Sequence, residues 1–361
     1  MANLMSGSYS YEELKKKYDD FEIPVVKVKV NGIDVVSTMN LPVVEMKMTL
    51  SMDAASMVVL KIGDQYDLKS HSFQAKVKNE FSIGTVVEVE VGYKSSTLNL
   101  FKGFVAALGM EYSELPLIVV TLMDARRLMM LAGNQVVLHD VKNYSDVFHT
   151  IMSRYSRLCS TEVDPTSDNL VNPLSQTQDD YQFVTRELIG SGRADREFFV
   201  LGKTAYFRKP HKEKTAIMTI EFGRELLALK TDEWYRDLNI EVVGYDADQQ
   251  TTVNGKASVH TPVLMKKLIG NTPEYYVTDP SMDTVSKAKD KANSIADKLE
   301  YKAKTGQGMT IGIPEIVPGR YLSVKSMDKD LCDHKYYLKT VIHEINGTDY
   351  KTMFDIEGWE S

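Results

Sequence analysis

The 361-residue chain is short of several things. It has two cysteines, Cys159 and Cys332, far apart and without a CxxC spacing. They read as reduced structural thiols rather than as a disulfide framework or a thiolate metal site. Seven histidines are scattered, among them His139, His149, His334 and His343, and no two stand at metal-ligand spacing; structural or solvent roles fit them best. No GxSxG, Walker A, strand-linked GxGxxG, HExxH or paired catalytic cysteine is present, so no catalytic, cofactor-binding or metal-binding residue is assigned. No apolar run approaches the roughly 18 residues of a membrane span. The N-terminus has neither the basic nor the apolar region of a signal peptide, so synthesis and first folding in the cytoplasm are expected. Basic excess is missing too: 43 Lys and Arg face 50 Asp and Glu, net −7. That disfavours sequence-specific nucleic-acid binding, although a mildly acidic wall could let DNA slide past.

What is present is β pattern. After a polar, helical arm (1–20), Val26, Val28 and Val30 alternate with Lys27 and Lys29, and Asn31-Gly32 supplies the positive φ pair of a type I′ turn. Ile33 and Val35 are expected to continue the hairpin. Val44, Met46, Met48, Leu50 and Met52 alternate with polar residues, and strands at 57–62, 86–93, 98–107 and 117–124 follow. The stretch 21–125 therefore reads as a first antiparallel β-barrel or sandwich.

From 126 the period changes. Ser145 is read as an N-cap, with Val147, Phe148, Ile151, Met152, Tyr155 and Leu158 at helical spacing. Asp179 caps a further helix that Gln182 can close as a capping box, and Gly190 or Gly192 ends it. A hairpin then pivots on Gly202-Lys203. Residues 126–236 form a small α+β domain. The stretch 237–361 returns to β character around one long helix at 282–304, whose stripe is Val285, Ala288, Ala292, Ile295 and Leu299. This narrow stripe fits packing within the chain or against another subunit. The two β regions share a glycine–strand–turn–long strand–turn–strand order without residue identity. A true repeat of barrel domains and a merely shared pattern both remain open.

The acidic pairs Asp179-Asp180 and Asp232-Glu233 invite a peptidoglycan hydrolase reading, since hydrolysis uses two carboxylates across a cleft. A cap and a dipole complement explain them more simply. Tyr181, Phe183, Phe198, Phe199, Tyr206 and Phe207 could form a carbohydrate-stacking platform, but fit a domain core better. Arg208, Lys209, His211 and Lys212 read as a solvated basic edge.

The run QTQDDYQFVTRELIGSG, continued by REFFVLGKTAYFRK, resembles a motif of contractile-tail baseplate hubs, a family that includes phage late control protein D, the T-even phage hub and the hub half of the type VI valine-glycine repeat protein. Gln176, Asp180, Tyr181, Phe183, Val184, Arg186, Phe198, Gly202, Tyr206 and Phe207 match it, with Asp179 where serine is common. LNIEVVGYDADQQ resembles the second-barrel entry through Gly244, Tyr245, Asp246 and Gln250, and the 282–304 helix followed by PGRYLSV is a third likeness. Together these span about 176 to 325; the first β region fits by pattern alone.

The resemblance implies a mainly β chain with an α+β portion. It would have two similar antiparallel barrels and a middle domain, and close as a homotrimer into a pseudo-hexameric ring. Such a ring is a non-enzymatic structural adaptor between a six-fold tail tube and a three-fold spike. Implied partners are other copies of the chain, a spike protein below, a tail tube or tube-initiator protein above, baseplate wedge or sheath-side proteins, and a tape-measure protein in the channel. No cofactor is implied. Many relatives continue into a further barrel and a β-helical spike; this sequence ends at Ser361, so a separate spike protein is expected, in a virion tail or a headless tail-like particle such as a bacteriocin.

Overall fold

The computed structural model describes residues 4–63, 65–131, 136–259, 270, 272–328 and 333–360. Cys332 and Ser361 lie outside the described residues. The chain is mainly β and folds as two compact units, Met1–Leu229 with Gly308–Asp355, and Lys230–Gln307 with Ile356–Ser361.

In the first unit the alternating valines and methionines become neighbouring antiparallel strands. Val43–Ser51 buries Met46, Met48 and Leu50 on one face and pairs with Met57–Ile62. Outward from there run Leu117–Met123, Ser96–Glu111, Val86–Tyr93 and Pro24–Val30. Asn31 (φ 51°) and Gly32 (φ 83°) make the expected turn, after which Ile33–Asp34 pairs with Lys29 and Val30. Val35 does not extend that strand. It opens a helical turn, Val35–Thr38, because the Asp34 carboxylate takes the Val28 N–H and closes the ladder there.

On its other side Val43–Ser51 pairs with Lys335–Asn346, with Met48 opposite His343. The early and late β stretches of the sequence therefore share one sheet. Lys335–Asn346 also pairs with Tyr321–Lys325, which lies parallel to Ala216–Glu221.

The helix-bearing part of this unit has its own core. Phe148, Ile151, Phe183, Leu188, Phe198 and Phe207 are all buried in it, and Phe148 stacks on Phe207 at 4.5 Å between centroids. The helix Tyr144–Ser153 is capped by Asn143 rather than Ser145: the Asn143 amide oxygen takes the Asp146 N–H at 2.9 Å, and Ser145, already inside the helix, donates its own hydroxyl to that oxygen. Asp179 caps as expected, accepting the Gln182 N–H at 2.8 Å. Beyond it, Phe183–Gly190 widens to i→i+5 bonding, with Ser191 N–H on Arg186 C=O at 2.8 Å, and Gly192 follows at φ 77°.

The N-terminal helix Tyr11–Lys17 carries a full capping box between Ser10 and Glu13. It is followed by Asp19, Asp20 and Phe21, all left-handed at φ 48°, 58° and 60°. Such geometry costs L-residues about 1–2 kcal/mol each.

The second unit contains a three-stranded sheet in the order Thr251–Val259, Leu238–Asp246, Glu274–Thr278, the last pair parallel. The helix Val285–Ala303 is laid across it, burying Ala288, Ala292 and Ala296 against Ile240, Val242 and Val259. Of the expected stripe, Ala288 and Ala292 are buried and Ile295 and Leu299 pack alongside, all within this unit. Val285 is outside it and 58% exposed, because it sits in the first turn beyond the sheet contact. Glycine makes the approach possible. A Cβ on Gly255 would lie 2.1 Å from the Ala288 carbonyl carbon, and one on Gly244 would lie 1.9 Å from the Met282 oxygen.

Candidate functional site

The motif residues converge on a helix, a hairpin and the points where both are fastened to the first unit. At the helix start, Asp180 is almost wholly buried. A buried carboxylate needs partners. Arg154 Nη1 donates to both its oxygens at 2.9 Å, the Tyr155 hydroxyl donates at 2.7 Å, and Gln176 Nε2 donates at 2.7 Å. With that amide nitrogen engaged, Gln176 Oε1 accepts from His139 Nε2 at 2.8 Å, and the His139 ring stacks on Phe183 at 5.5 Å. Burial, reinforced by the neighbouring carboxylate, pushes the Tyr155 phenol up from its ordinary range. Each polar member of this set donates to or accepts from another. Gln176, Asp180 and Phe183 therefore act together as a knot that orients the helix.

The hairpin Glu197–Leu201 with Thr204–Arg208 presents two aromatic faces. Phe198 and Phe207 point into the helix-bearing core, whereas Phe199 and Tyr206 stack on each other at 5.0 Å on the opposite side. Arg208 covers Phe199 at 4.9 Å. The expectation of a solvated basic edge fails at Arg208, which is 4% exposed. It donates to Glu197 at 2.7 Å and to the Gly319 carbonyl at 2.5 Å, and the Tyr337 hydroxyl donates to the other Glu197 oxygen at 2.8 Å. Burial pushes the Glu197 carboxyl up, against the pull of Arg208. Lys212 is more exposed and pairs with Asp164.

The hairpin tip is fixed as well. Gly202, at φ 55°, donates its N–H to Leu100 C=O at 3.0 Å, and a Cβ there would stand 3.3 Å from Asn99 O. Lys203 reaches Glu88 at 2.7 Å. Tyr181, half-buried, donates to the Asp53 carbonyl, and Arg186 is exposed. Gly244 and Tyr245 lie on the second unit's central strand, and Asp246 takes the N–H groups of Asp248 and Gln249 in the following turn.

Residues that the sequence reading passed over hold the same frame. Arg126, wholly buried, binds Asp124 at 2.7 Å, Ser56 at 2.9 Å and the Met52 carbonyl at 3.3 Å. Nothing local distinguishes this arginine from a surface one. Burial pushes the Cys159 thiol up to about 11, which suits an inert core residue. Among the described residues no cluster of His, Cys, Asp and Glu could hold a metal ion. No helix among them is long and apolar enough to cross a membrane.

This architecture is that of phage tail proteins. The tail protein of Neisseria meningitidis MC58 superimposes with a TM-score of 0.67 at 11% identity, covering 93% of this chain and 96% of that one. The 43 kDa tail protein of prophage MuSo2 from Shewanella oneidensis gives 0.65 at 11% identity, over 92% and 98% of the two chains. The E. coli c3393 protein, described as a component of the type VI secretion system with structural similarity to T4 tail proteins gp27 and gp5, gives 0.57 at 10% identity, over 93% and 77%. The Alg8 N-terminal domain family matches residues 21–347, and the chain belongs to that family. None of the curated proteins compared with it matches.

Proposed function

We propose that this chain is the structural hub of a contractile-tail baseplate, in a phage or a tail-like particle, acting as a trimeric adaptor between a six-fold tube and a three-fold spike. The observation that carries the reading is the fold shared with tail proteins along nearly the whole of both chains. The pairing of Val43–Ser51 with Lys335–Asn346 adds to it, since it sets the two β stretches side by side as a doubled barrel would require. In this reading 21–125 and 237–361 supply two near-equivalent ring segments per chain, and 126–236 stands outside the ring as a docking surface. The partners are two further copies, a spike protein, a tube or tube-initiator protein, wedge or sheath-side proteins, and a tape-measure protein in the bore.

Shape, not turnover, does the work. Asp179 is engaged in a cap and Asp180 in the Arg154 pair, which leaves the hydrolase reading without a free carboxylate couple at the motif. Light scattering on the purified chain, alone and with a candidate spike protein, tests the proposal. A mass of three copies is expected; a strict monomer in both conditions at high concentration contradicts it.

A further inference from the structure

The left-handed turn at Asp19, Asp20 and Phe21 is out of place in a relaxed connection. L-residues enter this region singly, usually as Asn, Asp or Gly, and a phenylalanine there is an outlier. The turn is held by its surroundings. Lys94 pairs with Asp19 and Glu22, and the Phe21 ring packs against Tyr11, Tyr18 and Tyr93 at 5.2–5.8 Å between centroids.

What the turn permits is the return of the N-terminal arm onto its own chain. Tyr9 N–H bonds Ile217 C=O at 2.8 Å, and Ser8 Oγ bonds Ala216 C=O at 3.0 Å. Arg320 grips the carbonyls of Leu4 and Gly7, and Lys17 and Tyr18 both donate to the buried Glu315 at 2.6 and 2.8 Å. Leu14 and Tyr18 are buried beneath. All these contacts join residues before the turn to residues far beyond it. None of them requires arm and body to be the same molecule.

We propose that residues 4–18 form a strap exchanged between copies of this chain. With the turn extended, the strap of one copy lies on Ala216–Glu221, Glu315 and Arg320 of a second. Closed and exchanged forms share the strap's contacts with Ala216–Glu221, Glu315 and Arg320 and differ at the turn, where extension removes the left-handed geometry together with the Phe21 contacts to Tyr11 and Tyr18. Relief at the turn therefore favours exchange, and association entropy opposes it. The inference stands apart from the hub reading, because exchange could occur in any oligomer.

The test uses the full chain with Tyr9→Cys and Met218→Cys, whose backbones bridge one another, in a Cys332→Ser background. It is oxidised over a range of concentrations and run on a denaturing, non-reducing gel. Chains linked to one another, increasing with concentration, are expected. Asp20→Gly relaxes the closed turn and should lower the intermolecular fraction about tenfold. Asp20→Pro cannot take positive φ and should raise it. Links confined to single chains at every concentration overturn the proposal, as does an intermolecular fraction unchanged by Asp20→Gly. Should Asp20→Pro not fold, the comparison of Asp20→Gly with its parent decides alone.

Discussion

The two units hold themselves together by different means. In the first, an apolar core is joined by ion pairs: Arg126 with Asp124 and Arg208 with Glu197, both buried, and the buried Asp180 with the more exposed Arg154. In the second, the helix Val285–Ala303 meets its sheet through Ala288 and Ala292 against strands opened by Gly244 and Gly255. A buried ion pair adds little net stability but tolerates only one partner geometry, so it sets which segment lies where. A small-residue contact gains dispersion from close approach and fails when volume is added. The first unit thus adds polar register to its apolar core, and the second adds close small-residue contact to one such pair, Lys291 with Asp279.

This difference can be probed one unit at a time, because both tryptophans, Trp234 and Trp359, belong to the second unit. Tryptophan fluorescence follows that unit, and near-UV tyrosine dichroism is weighted to the first. The largest effect is expected from Arg126→Ala, which strands the buried Asp124 and Ser56 and should cost about 3–5 kcal/mol. Urea titration should show it in the tyrosine signal while the tryptophan transition stays put. A common shift of both would mean that the units do not unfold separately. Next comes Gly255→Ala. Its new methyl would meet the Ala288–Lys289 backbone, so a loss of about 2–3 kcal/mol is expected, in the tryptophan signal alone.

A pH effect of intermediate size follows from His343. It is fully buried between Ile316 C=O and the hydroxyls of Tyr350 and Thr352, and burial holds it down to about 3. The unfolded chain binds that proton near pH 6.5, so the contribution of His343 is complete above 6.5. It declines by about 1.4 kcal/mol per pH unit as pH falls below that value towards 3. Urea midpoints at pH 7 and 5.5 should separate in the tyrosine signal, and His343→Gln should bring them together. The smallest effect is expected at Gly202→Ala, about 1 kcal/mol from forcing an alanine to φ 55° at the hairpin tip; hydrogen exchange of the Gly202 amide region would report it.

Local chemistry was legible in the sequence and distant pairing was not. Asn31-Gly32 and Gly202-Lys203 announce their turns because positive φ has few occupants, and Asp179 announces its cap because a carboxylate beside free N–H groups has one obvious use. The alanines at 288 and 292 showed a face but not its partner, since Gly255 and Gly244 leave no apolar signal. Arg208 read as a surface charge and Arg126 drew no reading, because burial of an arginine depends on carboxylates and carbonyls that folding brings up from elsewhere. Pairing of 43–51 with 335–346 has no local signature at all; strands that alternate alike can pair in many combinations.

Electron microscopy of this chain mixed with the proposed spike partner addresses the proposed hub role most directly. Class averages should resolve an annulus of three chains with six similar lobes around an open bore. Particles without a central opening, or with any number of chains that leaves no three-fold axis, would contradict it.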